Sequence, residues 1–227
     1  MESLYITKED WKKFIKSKLN EFSVFAPFEE NGILHFEKVN SGNIENISYK
    51  TRAVEPLKLF LFPFKERVFP EIENFPKVLL IGVTSCDLKA IEILDKVFAE
   101  GDFKDPNYSR RKENTIFISI DCQKPYDTCF CTLVGNKPYP SGNFDLNLTE
   151  VNDGFVVEVG SERGKELIGN SNLFTNASSD DLEKRDKIRK DVEEKVKEIN
   201  KEFDFENVKE RLRGLYRKED WENIEDI

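Results

Sequence analysis

The apolar positions of the chain change period several times, and each change predicts an element. Trp11, Phe14, Ile15 and Leu19 recur at spacings of three and four. Thr7, with Asp10 three residues on, caps them in a variant of the capping box, which predicts a helix. The stretch SVFAPFEENGILHFEKV reads as two short strands around a turn at Glu30-Asn31-Gly32. TRAVEPLKLFLFPFKERVFP is dense in Phe and is punctuated by Pro56, Pro63 and Pro70, so long regular elements are excluded. It is too apolar to be left in solvent and predicts a wrap packed over the core.

The centre of the chain is more regular. KVLLIGV is a short continuous apolar run, as expected of a buried strand, and DLKAIEILDKVF follows as a helix. In that helix Leu88, Ile91, Leu94 and Phe98 form the apolar stripe and Asp87 is a suitable N-cap. NTIFISIDC is a second buried strand, and the strand–helix–strand order predicts a parallel βαβ unit. FDLNLTEVNDGFVVEVG reads as a hairpin turning at Asn152-Asp153-Gly154.

Beyond it the pattern is helical: SERGKELI is short, and SSDDLEKRDKIRKDVEEKVKEINKEF is long and charged. The long helix carries a narrow stripe of Leu182, Ile188, Val192, Val196, Ile199 and Phe203. SNLFTNASSDD between them is the best linker candidate, and ENVKERLRGLYRKEDWENIEDI closes the chain as another helical segment.

These elements predict a mixed α/β protein. Its central, largely parallel sheet has flanking helices, an N-terminal helix with small strands, and a helical C-terminal segment. The expected division is a domain over 1–170, with an N-terminal wrap over 1–76 and a βαβ unit plus hairpin over 77–160, followed by a helical segment over 171–227.

Composition narrows the function. With 227 residues, 38% hydrophobic and 19 of them Phe, the chain can bury a sizeable core. A net charge of −9 argues against nucleic acid or an anionic membrane as partner, since both demand a basic footprint. No run of eighteen apolar residues exists, and MESLYITKEDWKKF lacks the apolar core of a signal peptide, so a cytoplasmic protein is expected. In that compartment cysteines serve as metal ligands, redox groups or small core residues rather than as a disulfide framework.

Three of the four cysteines crowd into DCQKPYDTCFCT, and the spacing is C-x35-C-x6-C-x-C over Cys86, Cys122, Cys129 and Cys131. Cys86 is expected to end the first central strand and Cys122 the second. Strand ends of a parallel sheet converge on one edge, where ligands bind. Four thiolates there suit a cubane iron–sulfur cluster or an all-cysteine zinc site. The alternative is two core thiols at strand ends and two loop thiols. Phe130, between two of the sulfurs, points away from them on an extended chain or caps them on a bent one.

GVTSCDLKAIEILDKVF, the IDCQKPYDTCFCTLVGNKPYPSGNF loop, GFVVEVGSERGKEL and the Arg52–Pro63 segment together resemble one family. It comprises the iron–sulfur β subunits of cytoplasmic sulfhydrogenases and the related A subunit of anaerobic sulfite reductase, and the likeness covers most of residues 50–168. The resemblance implies that Cys86, Cys122, Cys129 and Cys131 hold one [4Fe–4S] cluster. It also implies a non-catalytic subunit that relays electrons between a flavin/NAD(P)-binding subunit and a hydrogenase or sulfite-reductase catalytic partner.

Two departures stand out. The family carries a ferredoxin-like C-terminal domain with two further four-cysteine sets, whereas no cysteine follows Cys131 here, so the N-terminal domain alone is expected. Thr84 stands where the family has Arg, and a missing cation would lower the potential of a cluster.

Outside the cysteines, Arg52 and Lys58 are candidates for an anionic group near the site. Arg110 and Arg111 read as a solvated turn or, alternatively, as a dock for a partner or an anionic ligand, His35 as a surface or edge residue, and Asp121 as a residue placed to orient the loop. GNKPYPSG reads as a turn-rich segment that shapes the site. No Ser-His-Asp signature, P-loop or G-x-G-x-x-G is present, which removes the sequence case for hydrolysis, phosphoryl transfer or nucleotide binding.

Overall fold

A computed structural model of the chain describes residues 2–67, 69–203 and 205–215. The elements begin with β1 (Glu2–Thr7), α1 (Lys8–Lys18), β2 (Ser23–Glu30), β3 (Ile33–Lys38) and α2 (Lys58–Leu61). The centre holds β4 (Val78–Val83), α3 (Ser85–Phe98), α4 (Pro106–Glu113), β5 (Thr115–Ile120), β6 (Leu146–Val151) and β7 (Gly154–Val159). Then come α5 (Glu162–Ile168), β8 (Thr175–Asn176), α6 (Ser179–Ile199) and α7 (Val208–Leu215). The helical end expected from the sequence is α7, and its continuation over 216–227 lies outside the described residues.

The strands form one eight-stranded sheet in the order β3-β2-β4-β5-β6-β7-β1-β8. Its middle pairs, β2 with β4, β4 with β5 and β5 with β6, are parallel. The flanking pairs are antiparallel. The sheet is therefore mixed, with the expected parallel centre and a hairpin on each side. Helices cover both faces, which is why the central strands read as continuous apolar runs. Leu79 and Ile81 point toward Trp11, Phe14, Ile15 and Phe155 on one face. Leu80 and Val83 point toward Leu88, Ile91 and Tyr108 on the other.

Turn chemistry fixes the hairpins. Asn31 and Gly32 have φ of 52° and 79°, the left-handed pair that a two-residue turn needs between right-twisted strands. Asn152 at φ 56° opens the β6–β7 turn.

The pattern had not predicted β1, which pairs with β7 and β8. The stretch considered as a linker is engaged with it. Thr175 and Asn176 pair with Tyr5 and Leu4, and the Phe174 ring meets Phe14 edge-on at 4.9 Å. Arg110 and Arg111 lie in α4 rather than in a solvated turn. Asp105 caps that helix and Pro106 opens it, a signal that outweighs its single buried residue, Tyr108. Arg111 pairs with Glu66 and lies over the Phe75 ring at 5.2 Å, while Arg110 donates to the Ile72 carbonyl at 3.3 Å. Together they pin the proline-rich segment to the body.

Candidate metal centre

The parallel centre sets the position of the first two cysteines. β4 and β5 leave the sheet at the same edge. A bulge between Ile81 and Val83 redirects the chain there. Gly82 makes it possible, with φ of 87° and a packing gap so tight that a Cβ would sit 2.6 Å from Pro27 Cγ.

The helix that follows starts earlier than expected. Thr84, not Asp87, is the N-cap. Asp87 occupies the third helical position, and its carboxylate accepts from the Thr84 backbone N–H in a reciprocal capping box. Cys86 therefore belongs to the first turn of α3 rather than to the strand end. The Thr84 hydroxyl reaches its sulfur at 3.0 Å. Cys122 lies two residues past the end of β5, with its N–H bonded to the Pro138 carbonyl at 2.9 Å. That contact is how GNKPYPSG shapes the site.

Cys129 and Cys131 sit on a folded loop. The Tyr126 N–H donates to Cys129 Sγ at 3.3 Å, and Cys129 N–H donates to the Tyr126 carbonyl at 2.9 Å. Cys131 opens a single 3-10 turn that Gly135 closes at φ 72°. The chain bends at Phe130, whose side chain is 58% exposed, so the ring stands at the rim and does not seal the sulfurs. Ser85 Oγ donates to Asn136 Oδ1 at 3.1 Å, which ties the Cys86 turn to the end of the Cys131 turn. Asn200, at the end of α6, donates to the Cys129 carbonyl at 2.8 Å.

A third wall comes from the segment before α2. Thr51 is buried, and its hydroxyl eases the upward push on the Cys122 thiol. Arg52 donates to Thr128 Oγ1 at 2.8 Å and approaches Cys129 Sγ at 3.9 Å. Its guanidinium lies over the Tyr126 ring at 5.0 Å. Sequence reading marked Arg52 but had no signal for Thr51 or Asn200, whose contacts span about 70 residues of chain. Lys58 stands in α2, and His35 lies in the edge strand β3 with Nδ1 2.8 Å from Glu55 Oε1; neither is among the residues bonding these sulfurs.

The four sulfurs share one electrostatic neighbourhood. Burial pushes the Cys122 thiol up, and the charges of Cys86, Cys129 and Cys131 push it further. Burial does the same to Cys131, with help from Cys129 and Cys86. Cys86 is an exposed residue, yet desolvation of its thiol still raises it, with the Asp87 charge adding to the push. The raised thiols of Cys86, Cys122 and Cys131 favour their protonated form, so a cation loaded there would displace protons. Among the described residues, no group of three or more His, Cys, Asp or Glu side chains is arranged around the position of a single ion.

Beneath Cys122 lies a buried polar network. Asp121, 1% exposed, accepts from Thr149 at 2.6 Å, Asn147 at 2.9 Å and Arg189 of α6 at 2.7 Å. Arg189 also pairs with Glu158, which Arg185 approaches at 3.2 Å. Burial pushes the Asp121 carboxyl up against the pull of these donors. The network locks α6 to β6 and β7 and fixes the start of the cysteine loop.

The glycines of GFVVEVGSERG serve packing rather than the site. A Cβ on Gly160 would lie 2.5 Å from the Phe144 carbonyl oxygen, and one on Gly164 2.0 Å from that of Asp145. Buried Asp145 accepts from Ser161 at 2.5 Å, from Arg163 at 3.1 Å and from the Phe117 N–H at 2.8 Å.

No helix among the described residues is long and apolar enough to cross a membrane. No family model matches the chain. The sulfhydrogenase 2 subunit beta of Pyrococcus furiosus is 34% identical over 191 aligned residues, which cover 79% of this chain and 55% of that protein. The chain thus spans about half the length of the curated relative it matches. At this identity, over most of its own length, the chain belongs to the sulfhydrogenase beta subunit family.

Proposed function

We propose that the chain is an iron–sulfur electron-transfer subunit of a cytoplasmic redox complex of the hydrogenase and sulfur-reductase type or the sulfite-reductase type. Cys86, Cys122, Cys129 and Cys131 hold one [4Fe–4S] cluster, which when bound supplies a one-electron couple. The observation that supports this reading is that the four thiols lie near enough for the charges of Cys86, Cys129 and Cys131 to act on Cys122 just beyond the end of β5. A backbone N–H and a guanidinium donate to Cys129 there, and the Thr51 hydroxyl favours the charged form of Cys122. Such donors suit negatively charged thiolates. A cubane takes one thiolate on each of four irons, so its ligands stand further apart than those of one zinc ion, and grouping around a single ion is not required.

The protein's own groups hold the sulfurs, orient them and set their charge environment. Electrons pass between a flavin/NAD(P)-binding subunit and the catalytic partner, and no substrate is transformed on this chain. The relative's name and the family motifs support those partners.

The test is iron and acid-labile sulfide content, with an absorption spectrum, on protein purified without oxygen. About four irons and four sulfides per chain are expected for a cubane. Single Cys→Ser changes at the four positions should each reduce that content. Zinc or bare thiols in the wild type would replace the electron carrier by a structural module that scaffolds its neighbours.

A further inference from the structure

Arg52 is a cation aimed at sulfur. Its backbone is left-handed, with φ of 74°, a conformation that residues with a Cβ adopt only when their surroundings impose it. The side chain then reaches across the fold from the segment before α2 to the cysteine loop. It holds Thr128 Oγ1 at 2.8 Å, stands 3.9 Å from Cys129 Sγ and covers the Tyr126 ring at 5.0 Å. Tyr126 in turn donates its N–H to the same sulfur at 3.3 Å. Among the described residues, no carboxylate stands within ion-pair distance of Arg52, although the chain carries a net charge of −9. A guanidinium spent on a hydroxyl, a ring face and a sulfur leaves its charge uncompensated at that sulfur. Its Nη1 reaches both Thr128 and Cys129 while its plane covers the Tyr126 ring, a combination that a point charge would not make.

We propose that Arg52 is a positioning and charge-supplying residue of the cysteine site. It clamps the Thr128–Cys129 turn and stabilises the more negative, reduced form of an iron–sulfur group held there. The inference rests on the cluster reading above. The guanidinium is exposed, so solvent and salt moderate its effect.

The experiment compares wild type, Arg52→Gln and Arg52→Lys, all purified without oxygen, by iron and sulfide content and by a dithionite titration followed by electron paramagnetic resonance. Arg52→Gln should retain its iron while the oxidised form becomes favoured by up to about tenfold, a negative shift of about 59 mV for a one-electron couple. Arg52→Lys, which restores the charge without the fork, should recover part of the shift, and the difference between Gln and wild type should shrink at high salt. If Arg52→Gln does not load, Thr128→Val removes the anchor of the guanidinium while keeping every sulfur, and the same direction is expected. A loaded variant with the wild-type potential overturns the proposal and leaves the cluster standing. A wild type without iron overturns the cluster reading, and this inference with it.

Discussion

Replacing Arg189 by Met should unfasten α6 from the sheet, and the structure sets the size of the loss. The pair is buried: the side chain of Arg189 is 13% exposed, that of Asp121 is 1% and that of Glu158 is 11%. In the native protein two guanidiniums, Arg185 and Arg189, face two carboxylates, Asp121 and Glu158. The substitution leaves both carboxylates in place with one cation, and Asp121 keeps only Asn147 and Thr149 as donors. An exposed ion pair would be worth less than about 1 kcal/mol. Removing one partner of a buried pair costs about 3–5 kcal/mol, because the remaining charge is stranded.

Met fills most of the aliphatic volume of the arginine, so the electrostatic effect dominates over cavity formation. For a chain of this size each kcal/mol moves the melting temperature by about 2–4 °C, which gives a fall of about 6–20 °C. The assay is thermal and urea unfolding followed by far-ultraviolet circular dichroism, on metal-free reduced protein. A second arm combines Arg189→Met with Asp121→Asn. Removing the stranded charge should return about 1–3 kcal/mol of the loss, the usual coupling between contacting residues. A single-variant loss below about 1 kcal/mol, or strict additivity in the double variant, would refute the argument that this pair is desolvated and coupled.

Gly164→Ala should cost at least about 2 kcal/mol, since the new Cβ would lie 2.0 Å from the Asp145 carbonyl oxygen and neither backbone can yield cheaply; urea midpoints check it. Stability should also fall with rising pH above about pH 10. Tyr5 donates to Asp153 at 2.7 Å, and burial with that contact raises its phenol to about 12. A raised acid stabilises the fold below its unfolded pKa and loses that contribution as pH climbs toward about 12. Tyr5→Phe should flatten this part of the stability profile, and a parallel decline in both proteins would assign it to other groups.

Elements whose evidence is local were legible in the sequence. α1 and α3 announce themselves by apolar spacing, and the two hairpins by Asn-Gly and Asn-Asp-Gly. β1 was missed because its six residues run directly into Thr7, the cap of α1, with no breaker between them. α4 was missed because only Tyr108 of its eight residues is buried, although Asp105-Pro106 carried the start signal. Asp87 was read as the cap of α3, but the cap is Thr84, three residues earlier, and Asp87 completes its box; a Thr three residues ahead of an acidic residue was the signal for it.

At the site, the clustering of Cys122, Cys129 and Cys131 is a matter of spacing and could be read directly. The contacts of Thr51 with Cys122, Arg52 with Cys129 and Asn200 with the Cys129 carbonyl depend on how the sheet brings distant segments together, and no local pattern encodes them. Asp121 was read as orienting the loop. Its partners on β6 and α6 show that it also fastens a helix.

The position of β1 constrains the order in which the chain can be assembled during translation. It leaves the ribosome ahead of its two neighbours, which are made about 150 to 170 positions later, with Glu2 opposite Val159 and Leu4 opposite Asn176. Pairing β4 with β5 in the parallel centre needs only the residues between Val78 and Ile120. β1 must wait, unpaired, through that stage, and closing so long a loop is among the slower events available to a folding chain. Its insertion between β7 and β8 couples the two ends of the described fold. A nascent chain released before β8 would leave an open strand edge for chaperones or aggregation to find.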